Sequence, residues 1–316
     1  MKVKCIVTGC AGFIGSHVTE HLLSLGCKVT GIDAFTSYYS PQLKQLNIRT
    51  FSKNRRFKLI RGNLTTMDIS SILRDADYVV HEAAQPGVRM SWGSNFESYL
   101  RNNLYATQRM LEACRIHKIK KVVFASSSSV YGNTQILPTT EETRPMPVSP
   151  YGVSKLACEH LCNAYEENFG IPIVVLRYFS VYGPRQRPDM AFHKFLRSAV
   201  KGEKVVVFGG KQKRDFTYVT DVVDGTISAM HSDIEGDVLN IGSGKPFSLL
   251  ETLKTIENIT ERKLDIIYEP SLKDDVKHTY ANITKAQKLL NYRPKVNLRE
   301  GLREEYKWIS ALYSYG

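Results

Sequence analysis

The chain has 316 residues, of which 42% are hydrophobic and 23% charged, with a formal net charge of +12. That length holds one large core or a main domain carrying a smaller lobe, the composition is that of a globular protein, and no apolar run approaches the length that spans a bilayer. The basic excess raises nucleic acid as a partner, but the cations are dispersed, and the densest group, Lys118, Lys120 and Lys121, ends an expected helix where cations are favoured, so no nucleic-acid partner is expected.

Apolar β-rich runs alternate with helical patterns along the first half. Met1 to Gly9 reads as a short apolar strand running into a glycine turn rather than as a secretory leader, so a cytoplasmic location is expected. A strand at 3–8 leads to a helix at 13–25, and strands follow at 28–32, 57–60 and 78–81. A long amphipathic helix is predicted near 95–117, a strand at 122–125, a helix at 151–169 and a strand at 172–178. This alternation predicts an α/β fold, a doubly wound parallel sheet over residues 1–178, joined by about 215–241. From Ser180 onward, Gly183-Pro-Arg-Gln-Arg-Pro188, Phe208-Gly-Gly210 and Gly242-Ser-Gly244 mark loops, and 179–316 is expected to form mainly a smaller substrate lobe closed by a helix near 298–312. The six cysteines show no paired ligand spacing. Cys158 and Cys162 share a helix face but lack partner ligands, so reduced thiols and no metal are expected.

Gly9, Gly12 and Gly15 follow the first strand and open the first helix, a tight turn that lets helix-terminal amides approach a pyrophosphate, with the amides of Phe13 and Ile14 in reach. A glycine triad alone is weak evidence. It gains weight from Asp33 at the end of the next strand, where a carboxylate accepts ribose hydroxyls and repels a 2′-phosphate, which predicts NAD rather than NADP. Asn63, after Arg61 and Gly62, is placed near the adenine, although an exposed turn residue has the same signature.

The chemistry is carried by Tyr151 and Lys155, which lie one helical turn apart, so the ammonium favours the phenolate and makes Tyr151 a usable base. The run Ser126 to Ser129 lies upstream of them. Ser127 is preferred over Ser126, Ser128 and Ser129 for its spacing before Val130-Tyr131, with a register shift of one position left open. With a nicotinamide, such a set serves oxidation of a sugar hydroxyl.

At this point the chain resembles the extended short-chain dehydrogenase/reductase family and, within it, the nucleotide-sugar epimerases. The matching residues are the glycine triad, Asp33, His81-Glu-Ala-Ala84, Ser126 to Gly132, Tyr151 with Lys155, Arg177 to Pro184, and Arg214 to Val219. Narrower matches, Asp33 to Tyr39 with Leu43-Lys44, Gly87-Val-Arg-Met-Ser91 and Gly183 to Ala191, resemble the UDP-glucuronate 4-epimerases. The resemblance implies NAD as a retained cofactor, a UDP-sugar substrate and a homodimer formed through a four-helix bundle. It adds Leu64, Ala83, Ala84 and Tyr178 to the cofactor set. For the substrate it implies Gly87, Val88, Arg89, Ser128, Ser129, Ser180, Ala191 and Asp275, with Arg187 gripping the sugar carboxylate and Arg214, with Lys273, holding the diphosphate. Phe192 and Phe208 are expected as uracil walls, each of which an ordinary core residue would resemble.

Three departures stand beside these matches. Ala34 replaces an Asn common after the ribose-binding Asp, and Leu272 with Lys273-Asp274 replaces an Arg or Gln followed by Pro-Gly. Ser128 and Ser129 occupy the positions where related 4,6-dehydratases carry Asp-Glu and decarboxylases a Glu, so the acid those eliminations need is missing there. The competing readings are a UDP-hexose 4-epimerase, then a UDP-glucuronate decarboxylase, then a silent NAD- or nucleic-acid-binding relative.

Overall fold

The computed structural model describes residues 3–270, 276 and 278–313. In chain order its first half comprises β1 (Lys4–Thr8), α1 (Phe13–Ser24), β2 (Lys28–Asp33), α2 (Pro41–Ile48), β3 (Phe57–Arg61), α3 (Ile69–Leu73) and β4 (Tyr78–His81). There follow α4 (Phe96–Tyr99), α5 (Ala106–Ile116), β5 (Lys121–Ser127), α6 (Pro150–Phe169) and β6 (Ile173–Tyr178). The second half holds β7 (Ser180–Tyr182), α7 (Ala191–Lys201), β8 (Val205–Phe208), β9 (Lys213–Tyr218), α8 (Val219–His231) and β10 (Asp237–Ile241). It ends with β11 (Pro246–Ser248), α9 (Leu249–Thr260), β12 (Ile266–Glu269), α10 (Thr284–Leu290) and α11 (Leu298–Tyr313).

Seven strands form one parallel sheet in the order β10-β6-β5-β4-β1-β2-β3. Its central strands are apolar on both faces because helices cover both sides. Side chains alternate between two cores with the period of the pleat. Cys5 and Val7, Val123 and Ala125, Val174 and Leu176 join the layer under α1 and α8, whereas Ile6, Val122, Phe124, Ile173 and Val175 join the layer under α3, α5 and α6. The chain runs outward in both directions from β1, through β2 on one side and β4 on the other, so a crevice opens beyond the carboxyl ends of β1 and β4.

The second half supplies a three-stranded sheet, β11-β9-β7, and a pair, β12-β8. The segment 215–241 divides between the layers. Its start belongs to β9 in the small sheet, while α8 and β10 return to the large one. Between Ser180 and Leu298, where composition marks only loops, helices α7, α9 and α10 form as well. The helix predicted at 95–117 is broken into α4, a π-helical turn at Leu100–Tyr105 and α5. A π-turn admits one extra residue per turn and marks a place where a helix is re-aimed. Here it aims Asn103 inward, where the side chain accepts from the Gln85 amide at 2.6 Å and donates to Ser154 Oγ at 2.9 Å.

Candidate active site

A cleft of about 210 Å³ lies along the carboxyl edge of the large sheet, and residues from the glycine turn to Arg187 line it. At one end, β1 turns at Gly9, whose φ of 69° falls in the left-handed region. A Cβ on Gly9 would stand 2.9 Å from the Ala83 amide nitrogen, and one on Gly15 2.2 Å from the Gly9 carbonyl oxygen. The turn is therefore pressed between β4 and α1. Its N-cap, Gly12, has no side chain with which to cap the helix, so the first-turn amides of Phe13, Ile14 and Gly15 remain for an anionic ligand. Asp33, at the tip of β2, accepts from the Ala11 amide at 3.0 Å and the Phe35 amide at 2.7 Å, which hold its carboxylate at the cleft wall. These residues fit a dinucleotide: amides and a dipole for the pyrophosphate, a buried carboxylate for a ribose diol. Asn63, Leu64, Ala83, Ala84 and Tyr178 line the same cleft. The Asn63 Oδ1 accepts from the Thr65 amide and hydroxyl, which fix its side chain at the cleft lining.

At the other end, Ser149 caps α6 through the Gly152 amide at 3.1 Å, with Pro150 in the first turn. A Cβ on Gly152 would stand 2.6 Å from the Ser129 carbonyl oxygen, a close approach that packs the start of α6 against the serine run. Tyr151 and Lys155 both line the cleft. The Lys155 Nζ donates to the Ala125 carbonyl at 2.7 Å and lies 4.9 Å over the Phe124 ring, so strand β5 aims the ammonium. Tyr99 meets Tyr151 edge to face at 6.2 Å.

The serines divide by what they touch. Ser126 donates to the Glu159 carboxylate, which is buried with Arg177 in an ion pair of 2.7 Å, so this hydroxyl is committed to the core although the residue borders the cleft. Ser127 ends β5, accepts from the Ser129 amide at 3.1 Å and donates to the Ser129 hydroxyl at 3.1 Å. Ser128 and Ser129 stand in the short turn that follows.

The remainder of this end is built from distant segments. Arg187 lines the cleft and forms a two-point ion pair with Asp189, 3.0 Å on each arm, whose attraction outweighs burial and keeps the guanidinium charged. The loop bearing it is tied to α1. Arg185 donates to Glu20 at 2.6 Å, and the His17 imidazole, held neutral by burial with its pKa lowered to about 4, donates to the Pro184 carbonyl at 2.8 Å. Tyr99 donates to the carbonyls of Pro86 and Gly87 at 2.8 and 2.7 Å, which fixes the loop before Val88 and Arg89. The Arg89 guanidinium stacks 4.8 Å over Phe208, bringing two sequence-selected residues together. Ser180 begins β7, next to Phe216 in register, and Arg214 lies opposite Phe247. Ala191 opens α7 on the surface. Phe192 is placed otherwise than expected: it is 1% exposed and packs on Tyr182 and Phe216, so it has no open face for a base. Asp275 and Lys273 lie outside the described residues.

The cleft also contains residues that sequence reasoning did not select: Tyr38, Lys44, Glu82, Gln85 and Asn102. Tyr38, Lys44 and Glu82 sit inside quoted motifs, so their signal was present. Asn102 arrives only through the π-turn, which has no periodicity of its own. Burial pushes the Glu82 carboxyl up to about 7, against a 2.8 Å bond donated by Tyr178 and the charge of Lys155. No group of metal-ligating side chains occurs among the described residues, and no described helix is long and apolar enough to cross a membrane.

Comparison with known proteins agrees with this geometry. A family model described as NAD dependent epimerase/dehydratase matches residues 5–242. A Bacillus subtilis protein described as an uncharacterized UDP-glucose epimerase is 45% identical over 98% of this chain and 99% of its own. The UDP-glucuronate 4-epimerase of Thermodesulfobacterium geofontis is 36% identical over 96% and 95%. The crystal structure of UDP-glucuronic acid 4-epimerase from Bacillus cereus, in complex with UDP-glucuronic acid and NAD, superposes with a TM-score of 0.96 at 45% identity, covering 98% of this chain and all of that one.

Proposed function

We propose that this chain, which belongs to the NAD dependent epimerase/dehydratase family, inverts C4 of UDP-glucuronate to give UDP-galacturonate. One observation carries the reading: a single cleft has the glycine turn and Asp33 at one end, and Tyr151, Lys155 and Arg187 at the other. The UDP-glucuronate 4-epimerase of Thermodesulfobacterium geofontis and the Bacillus cereus enzyme solved with UDP-glucuronic acid support this sugar nucleotide.

When bound, NAD accepts a hydride from C4 and returns it, so it is not consumed. The chain does the rest. Tyr151 takes the proton from the 4-hydroxyl and gives it back, Ser127 hydrogen-bonds the same oxygen, and Lys155 holds the nicotinamide ribose. Asp33 receives the adenosine ribose, and the amides of the glycine turn receive the pyrophosphate. Inversion requires the ketone to turn over within the cleft. Meanwhile Arg187, with Ser128 and Ser129 in the turn after β5 and Ser180 at the start of β7, restrains the carboxylate. Restraint matters because a ketone at C4 makes the sugar a β-keto acid. Arg214 is assigned to the diphosphate and Phe208 with Arg89 to the uracil.

Residues 1–178, with the return through α8 and β10, form the cofactor-binding part, and the remainder of 179–316 the substrate lobe. A second copy is assigned to the face where Leu100, Tyr105 and Val153 are 42, 50 and 48% exposed on the packed α5 and α6 layer. Six free, buried cysteines suit the cytoplasm. A UDP-hexose substrate is the second reading, favoured by the description of the Bacillus subtilis relative.

The test is incubation with UDP-glucuronate without added reductant, followed by NMR. UDP-galacturonate supports the reading, UDP-pentose supports decarboxylation, and an unchanged spectrum moves the assignment to a hexose.

A further inference from the structure

Arg187 is a long side chain reaching into the cleft, and a guanidinium grips a carboxylate well only if its plane is fixed beforehand. The structure shows what fixes it. Its Nε and one arm of Nη2 are taken by the two oxygens of Asp189, at 3.0 Å each, which leaves the Nη1 edge for a ligand. Asp189 is anchored in turn, since the Tyr38 hydroxyl donates to its Oδ2 at 3.3 Å. The Tyr38 hydroxyl is packed closely against the loop at Gly87, where a Cβ would stand 2.3 Å from it, and that loop is itself held by Tyr99. Arg187 and Tyr38 line the cleft while Asp189, with a side chain 35% exposed, stands at the rim.

We infer that Asp189, pinned by Tyr38, is a positioning residue that sets the plane of Arg187 and so keeps the oxidised sugar from losing its carboxylate. This rests on the proposed uronate substrate. The argument is stereoelectronic. In the 4-keto sugar the C5–C6 bond breaks readily only when it stands perpendicular to the carbonyl plane. Its electron pair then passes into the enolate, carbon dioxide leaves, and C5 takes a proton from water. The ketone so formed is released while the hydride stays on the cofactor. A guanidinium fixed in one plane holds the carboxylate through the turnover of the ketone, whereas one free to swing follows the carboxylate into the labile geometry.

The measurement is a product ratio, carbon dioxide against UDP-galacturonate, from the NAD-loaded enzyme and UDP-glucuronate, because a ratio is independent of how much enzyme is active. Asp189→Asn, which keeps the size and one acceptor, should raise the decarboxylated share about tenfold, and Tyr38→Phe should raise it by less. Affinity for UDP, which has no sugar, reports whether the cleft is intact in each variant. A wild-type ratio in Asp189→Asn, or a rise in neither variant, overturns the inference. A fall of UDP affinity in Asp189→Asn passes the decision to Tyr38→Phe, where a rise supports it and no rise ends it. Should the wild-type protein leave UDP-glucuronate untouched, the proposed substrate fails, which is a different result from an unchanged ratio.

Discussion

The two ends of the cleft are made in different ways. The dinucleotide end is built by backbone: a left-handed glycine, two positions where a Cβ would strike the chain, and a carboxylate held by two amides. The end assigned to the sugar is built by side chains from segments far apart in sequence, with Tyr38, Arg187 and Asp189 meeting through a hydroxyl and charges and Tyr99 holding the Gly87 carbonyl. A backbone site tolerates no change of shape, because no rotamer can relieve it. A side-chain site loses grip one contact at a time, and the two ends should fail differently when altered.

The largest effect expected lies at the junction between them. Tyr151→Phe removes the base but leaves the ring on Tyr99, so turnover should fall by about 10³, or about 4 kcal/mol, with the unfolding midpoint unchanged. Steady-state kinetics beside thermal unfolding check this, and a variant of full activity would remove Tyr151 from the mechanism. At the backbone end, Gly15→Ala places a methyl 2.2 Å from the Gly9 carbonyl oxygen, where only backbone movement makes room. A loss on the order of 3 kcal/mol is expected, together with retained NAD, and denaturant midpoints with cofactor content measure both. An alanine variant as stable and as rich in NAD as the wild type would erase the contrast between the ends.

A smaller effect concerns Glu82, whose carboxyl rises from 4.5 to about 7 on folding. The unfolded chain loses this proton at lower pH than the folded one, so the folded state is penalised progressively as pH climbs through that interval. The full penalty, about 3 kcal/mol at most, is reached above neutrality. Glu82→Gln keeps the acceptor for Tyr178 and has no proton to lose. Its stability advantage should therefore be absent in acid and grow toward alkaline pH, as thermal unfolding across the range will show. A constant difference at every pH would mean that Glu82 titrates alike in the folded and unfolded chain, and that burial does not raise it.

The contrast also explains what the sequence could reveal. Gly9, Gly12, Gly15 and Asp33 were legible because a phosphate-binding turn imposes spacing on neighbouring residues. The parallel sheet was legible because apolar β-rich runs such as Val122 to Ala125 alternate with helical patterns, whereas the split of Val122 and Val123 between two cores emerged only in the structure. Spacing before Val130-Tyr131 favoured Ser127, but the buried Glu159 on α6 that claims Ser126 could be found only through contacts. The π-turn that brings Asn102 to the cleft breaks the very period used to find helices. Phe192 shows the same limit from the other side. An aromatic next to a binding loop reads alike whether it faces a base or fills a core, and here Tyr182 and Phe216 claim it. Asp189 follows Arg187 by two residues, yet nothing in its spacing announces that it backs the guanidinium.

The central claim is that C4 lends its hydride and takes the same one back inside a closed cleft. Turnover of UDP-glucuronate carrying deuterium at C4, in ordinary water and without added reductant, tests it most directly. The account predicts UDP-galacturonate with deuterium still on C4, and product whose C4 deuterium has been replaced by solvent hydrogen would contradict it.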